Sequence, residues 1–131
     1  MGGATPTFGF SRELRLLSSR DYRHVFDSAR FKVHGKGLLA LACANDVGHV
    51  RVGLVFSKKN ARRAVDRNLL KRLTRESIRL QQHRLPAVDI VVLSRRGVLE
   101  LDRHTLARQL HGMWRRLEKD AKRAVDAPLS A

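Results

Sequence analysis

Residues 37–43 are apolar with hardly a break, whereas Val50, Val52, Leu54 and Phe56 place apolar side chains at every second position. A continuous run suits a strand covered on both faces, and a period of two suits one covered on a single face. With the turn signal Asn45-Asp46-Val47-Gly48 between them, the two runs read as an antiparallel hairpin. Val88 and the run Ile90 to Leu93 give a further buried strand, ended by Arg95-Arg96-Gly97. Helical spacing occupies the rest. Ser18 and Asp21 resemble a capping box ahead of Tyr22, Val25, Phe26 and Ala29. Asp102 can cap a last helix whose apolar face is Leu106, Leu110, Met113 or Trp114, Leu117 and Ala121. A long middle helix, capped by Asn60, ends before Leu85-Pro86. The order is helix, two or three strands, helix, strand, helix. One sheet with helices packed on it, a single α+β domain, satisfies that order.

On the middle helix, a wheel of about 100° per residue gathers Arg63, Arg67, Asn68, Lys71, Arg72, Arg75 and Arg79 on one half. Val65, Leu69, Leu73 and Leu80 fall on the other, the side expected to dock on the core. Cations four residues apart repel by a few tenths of a kcal/mol, and Arg62 and Arg63 sit at the end of the helix where the dipole disfavours them. A polyanion relieves both penalties. The whole chain leans the same way: Lys and Arg total 27 against 12 Asp and Glu, a formal charge of +15 on 131 residues. Arginine predominates, and its planar fork suits phosphate. Phosphate-rich nucleic acid is therefore the expected partner. The basic helix has no Trp or Phe to enter a headgroup region, so a membrane partner is not expected.

The 43% apolar content supports a folded chain, and 131 residues suit one domain. Residues 1–9 are expected to be disordered, 10–120 to form the domain, and 121–131 to fray. Without a long apolar run or a secretory-type N-terminus, a cytoplasmic protein is expected. Cys43, the single cysteine, falls in an apolar run and is expected to be buried and inert. The twelve carboxylates are scattered and the six histidines match no metal spacing, so neither catalytic residues nor a metal site of the protein's own is expected.

An ordered set of motifs then carries a resemblance. Lys58-Lys59, Arg62-Arg63-Ala64-Val65, Arg67-Asn68, Lys71-Arg72 and Arg75-Glu76 resemble the arginine-rich signature of the bacterial ribonuclease P protein subunits. Phe10 to Leu16, with Arg12 and Arg15, resembles that family's N-terminal block. Val52-Gly53-Leu54, Leu85 to Asp89 and Leu110 to Leu117 resemble its later segments in order and spacing. The resemblance implies three helices on a mixed sheet of about four strands, in the order α-β-β-β-α-β-α, with a left-handed crossover, like a domain of a small-subunit ribosomal protein. It implies a ribonucleoprotein in which a catalytic RNA removes the 5′ leader of precursor tRNA with Mg²⁺ held mainly by RNA. The protein itself would bind no cofactor and need no obligate protein partner. By position, Arg62, Arg63, Arg67, Asn68, Lys71, Arg72 and Arg75, with Lys58 and Lys59, would face the catalytic RNA. Tyr22 and Phe26 would hold the leader, helped by Lys36 and Arg51, because Gly37, Leu38, Leu39 and Ala40 stand where relatives carry aromatics. A ribosomal-protein-like RNA-binding role is the alternative, since it shares the charge and could share the fold. A helix-turn-helix DNA regulator fits less well, because strands precede the basic helix.

Overall fold

The computed structural model describes residues 14–16 and 18–126, with side chains through Arg123. Its elements are α1 (Ser19–Ser28), β1 (Phe31–Gly35), β2 (Leu38–Ala44), β3 (Arg51–Val55), α2 (Ala64–Gln81), β4 (Val88–Ser94) and α3 (Arg103–Asp126). Ser18 caps α1 by accepting the Asp21 N–H at 3.1 Å. Asp102 caps α3 in the same way, accepting the Thr105 N–H at 2.7 Å. The expectations for residues 1–9 and 127–131 lie outside the described residues; α3 itself continues to Asp126, past the expected boundary at residue 120.

The sheet runs β1-β2-β4-β3, with β1–β2 and β2–β4 antiparallel and β3–β4 parallel. The expected hairpin of β2 with β3 does not form, because β4 lies between them. Local turn chemistry at Asn45 is real, since Asn45 Oδ1 accepts the Val47 N–H at 3.0 Å. Burial decides the neighbours: β4 is buried at six of its seven residues, which only a central position allows. The true hairpin is β1–β2, closed at Lys36 and Gly37. Gly37 is required there twice over, by its φ of 75° and by a Cβ position 2.7 Å from the Val98 backbone.

Strand alternation builds two cores. Val33, Leu38, Ala40, Val52, Ile90 and Val92 face α2 and α3, where Leu70, Ile78, Leu110, Trp114 and Leu117 complete the larger one. Leu41, Cys43 and Val91 face α1 and pack with Val25 and Leu16. The apolar face expected for α3 is the face that is buried, with both Met113 and Trp114 inside.

α2 docks on a different stripe from the one expected. Leu70, Thr74 and Ile78 are buried, while Val65 and Leu80 are each 60% exposed. The buried stripe is centred roughly 135° round the wheel from the expected one, although Leu73 of the expected stripe still packs against the core at its margin. Thr74 hid the true stripe, because its hydroxyl donates to the Leu70 carbonyl at 2.8 Å and so enters the core satisfied. Trp114 then fixes α3 against α2 by donating to Ser77 Oγ at 2.7 Å. Nor does Asn60 cap the helix. Its side-chain amide donates to Ser57 Oγ and to the Ser94 carbonyl, tying the loop to the end of β4, and α2 starts after Arg63 without a side-chain cap.

Candidate nucleic-acid interface

Rotation of α2 divides its cations into three groups. Arg62 and Arg63 are exposed on the approach to the helix, next to exposed Lys58 and Lys59 in the preceding turn. With Asn60 and Asp66 they border an open hollow of about 670 Å³. Asn68 and Arg72 are exposed on the helix itself. Arg67, Lys71 and Arg75 are half-buried on the shoulder beside the docking stripe.

Arg67 reaches backwards. Its Nη1 donates to the Ala61 carbonyl at 3.0 Å and the Arg62 carbonyl at 2.8 Å, holding the strip that presents Arg62 and Arg63. Lys71 and Arg75 instead wall a groove of about 180 Å³ with Arg15 and Tyr22 over Val52 and Leu54. Arg15 is placed there by its bridge to Val52, where the Leu16 N–H also donates to the Val52 carbonyl at 3.1 Å. Burial lowers the Arg75 guanidinium from its ordinary value and the Arg15 charge lowers it further. Two cations held together in this way favour an anion between them. Arg12 lies outside the described residues.

On the opposite face of the sheet, α1 carries both expected aromatics. Tyr22 is half-buried, its ring against Gly53, whereas Phe26 is 44% exposed and stands outside both cores. Leu39, Leu93 and Val55 form a half-buried row across three neighbouring strands on this face. Of residues 37–40 only Leu39 belongs to it, since Leu38 and Ala40 are buried in the core beneath α2 and α3. The ledge beside the aromatics is thus aliphatic. Gly53 and this ledge were not singled out in the sequence as functional positions; an isolated glycine inside a period-two strand was the available signal.

Lys36 and Arg51 do not come together. Lys36 is exposed at the β1–β2 turn, its N–H donating to Gln109 Oε1 at 3.0 Å. Arg51 pairs across from Asp89 near the other end of β4, on the order of 17 Å away along the strand. Its guanidinium donates two bonds of 2.8 and 2.7 Å to the Asp89 carboxylate, whose Oδ1 also accepts from the Asn45 side-chain amide at 2.8 Å. Asp89 raises the Arg51 pKa still further through those hydrogen bonds.

Among the described residues no three His, Cys, Asp or Glu side chains gather as a metal set. Cys43 is buried, and burial followed by the nearby Asp89 charge pushes its thiol up, away from reactivity. No helix among the described residues is long and apolar enough to cross a membrane. The arrangement offers a phosphate-binding surface and two aromatics able to meet bases.

Known proteins resemble the chain throughout. The family model described as ribonuclease P matches residues 10–118. The ribonuclease P protein component of Chromohalobacter salexigens is 71% identical over 88% of this chain and 90% of that protein. Its counterpart in Marinobacter nauticus is 46% identical over 88% of this chain and 87% of that protein. Among solved structures, the RNase P protein of Staphylococcus aureus aligns with a TM-score of 0.68 at 25% identity, covering 83% of this chain and 95% of that one. The Thermotoga maritima RNase P protein aligns with a TM-score of 0.68 at 27% identity, covering 78% and 96%.

Proposed function

The chain belongs to the ribonuclease P protein family, and from that premise we propose that it binds the catalytic RNA of the holoenzyme through α2 and the loop before it, and the 5′ leader of precursor tRNA beside α1. The observation that carries this reading is the placement of exposed cations on α2 and its approach and of two aromatic rings on α1, with Tyr22 at the β3 edge where Lys71 and Arg75 also reach. Lys58, Lys59, Arg62, Arg63, Asn68 and Arg72 are open to a phosphate backbone. On α1, Phe26 presents an exposed ring and Tyr22 a half-exposed one, and a base stacked on such a ring gains about 1 to 3 kcal/mol. Leader contact then uses the aromatic rings and the aliphatic ledge, with Lys36 at the sheet end, while Arg51 supports the ledge by holding β3 to β4.

Mg²⁺ supplies the hydrolytic chemistry in this reading. In this reading the ion would be held mainly by RNA oxygens, the ligands a hard cation prefers. The side chains of this protein neutralise and position the RNA around it, with the cytoplasm as the place of action. Reconstitution tests the proposal: RNA-free protein should leave precursor tRNA intact, and ribonuclease P RNA with Mg²⁺ and this protein should cleave the leader at its junction with the mature 5′ end. Mg²⁺-dependent cleavage by rigorously RNA-free protein overturns it.

A further inference from the structure

α3 carries a second basic surface that the α2 signature does not include. Arg108, Arg115 and Lys119 are exposed, and none has an ion pair or hydrogen bond to the described residues, whereas Arg116 pairs with Asp120 and Lys122 with Glu118. The three unpaired cations and Gly112 share the outward side of the helix, opposite the buried Leu106, Leu110 and Leu117. From Arg108 to Lys119 they span about 16 Å of helix axis. Arg115 and Lys119, one turn apart, repel each other, while the Asp102 and Glu118 charges act on Arg108 and Arg115 from nearby without pairing with them.

Gly112 makes this more than a solvated face. It interrupts the middle of a 24-residue helix, where glycine is unfavourable relative to alanine, and nothing in the fold calls for it. A Cβ at Gly112 would meet no atom within 4 Å. The glycine therefore leaves a bare saddle of backbone with Arg108 one turn before it and Arg115, Arg116 and Lys119 after it. A groove of about 410 Å³ between α3 and the edge strand β1 adjoins the saddle, with Arg108 and Arg116 on one side and His34 on the other.

We propose that the Gly112 saddle seats a phosphodiester backbone of the ribonuclease P RNA, as a contact separate from α2. This rests on the function proposed above. The ligand is assigned to that RNA and not to the leader, because α3 and α1 lie on opposite faces of the sheet. Closely approaching backbone needs the missing Cβ, and the unpaired cations neutralise phosphates on either side of it.

Binding of the full chain to ribonuclease P RNA, measured across a salt series, tests the assignment. Arg108→Gln combined with Lys119→Gln should weaken binding and flatten the slope of log affinity against log salt by about 1.4 to 1.8, as for two lost phosphate contacts. Preference for precursor over mature tRNA should stay unchanged. Gly112→Gln should raise Tm, because glutamine favours the helix and has open space there, yet weaken RNA binding. Unchanged affinity and slope in the double variant, with Arg72→Gln still weakening binding, overturns the saddle and leaves the α2 interface standing. Failure of the unaltered protein to bind the RNA overturns the function itself. Loss of precursor tRNA preference in the double variant reassigns the stripe to substrate and likewise overturns the proposal.

Discussion

The Tyr22 ring occupies the space where any side chain on residue 53 would begin: a Cβ built on Gly53 falls 2.5 Å from Tyr22 Cε2. The glycine therefore sets how deep the aromatic sits. Gly53→Ala should cost about 1 to 3 kcal/mol by overpacking and push the ring outward. Tyr22→Ala should reduce precursor tRNA affinity about tenfold, the loss of one stacked base, while mature tRNA affinity scarcely moves. Equal losses for both ligands would assign Tyr22 to packing alone.

Arg67 and Arg72 separate two duties within the signature. Arg72 is exposed, so Arg72→Ala should leave stability unchanged and flatten the salt slope of RNA binding by about 0.7 to 0.9. Arg67 anchors the Ala61 and Arg62 carbonyls, so Arg67→Ala should also destabilise the fold, by about 1 to 3 kcal/mol for two charge-assisted bonds. Chemical denaturation of both variants distinguishes them, and equal stabilities would remove the anchoring role.

The Arg51–Asp89 pair is unequal, with side chains 23% and 3% exposed. Arg51→Met strands the buried carboxylate and should cost about 3 to 5 kcal/mol. Asp89→Asn leaves a guanidinium that can turn to water, and should cost less. A loss of precursor tRNA affinity in Arg51→Met without loss of stability would instead give Arg51 a direct role with the leader.

Acid should loosen α3 at its start. The Thr105 N–H and then its hydroxyl hold the Asp102 carboxyl below its ordinary value. Ionised Asp102 therefore stabilises the fold above its unfolded-state pKa, and the contribution disappears as pH falls through the lower folded-state value. Asp102→Asn keeps a capping oxygen without the titration, so its Tm should fall less steeply with acid than that of the unaltered protein. Parallel melting curves across the carboxylate range would exclude this cap from the acid response.

Much of this was legible in the chain. Ser18 and Asp102 announced their helices because caps are local, and the stripe from Leu106 to Ala121 announced its buried face because every member is apolar. Strand neighbours were not legible: a period of two reveals which face is covered and says nothing of which strand lies alongside, so β4 could not be seen entering between β2 and β3. The docking of α2 is hidden for a chemical reason, since Thr74 satisfies its hydroxyl within its own helix and passes as a polar position. The signature cations were legible as a group, but the backward reach of Arg67 and the pairing of Arg51 with Asp89 depend on contacts across the fold.

The place of β4 in the sheet sets an order on the birth of the molecule. Residues 58–76, the whole arginine-rich signature, leave the ribosome before β4 begins at Val88, and β4 is the strand that joins β3 to β2. A nascent chain stopped just short of Val88 has every signature cation and neither the central strand nor the Trp114 contact that steadies α2. The fixed arrangement of these cations on the sheet is therefore completed only after the last strand has been made.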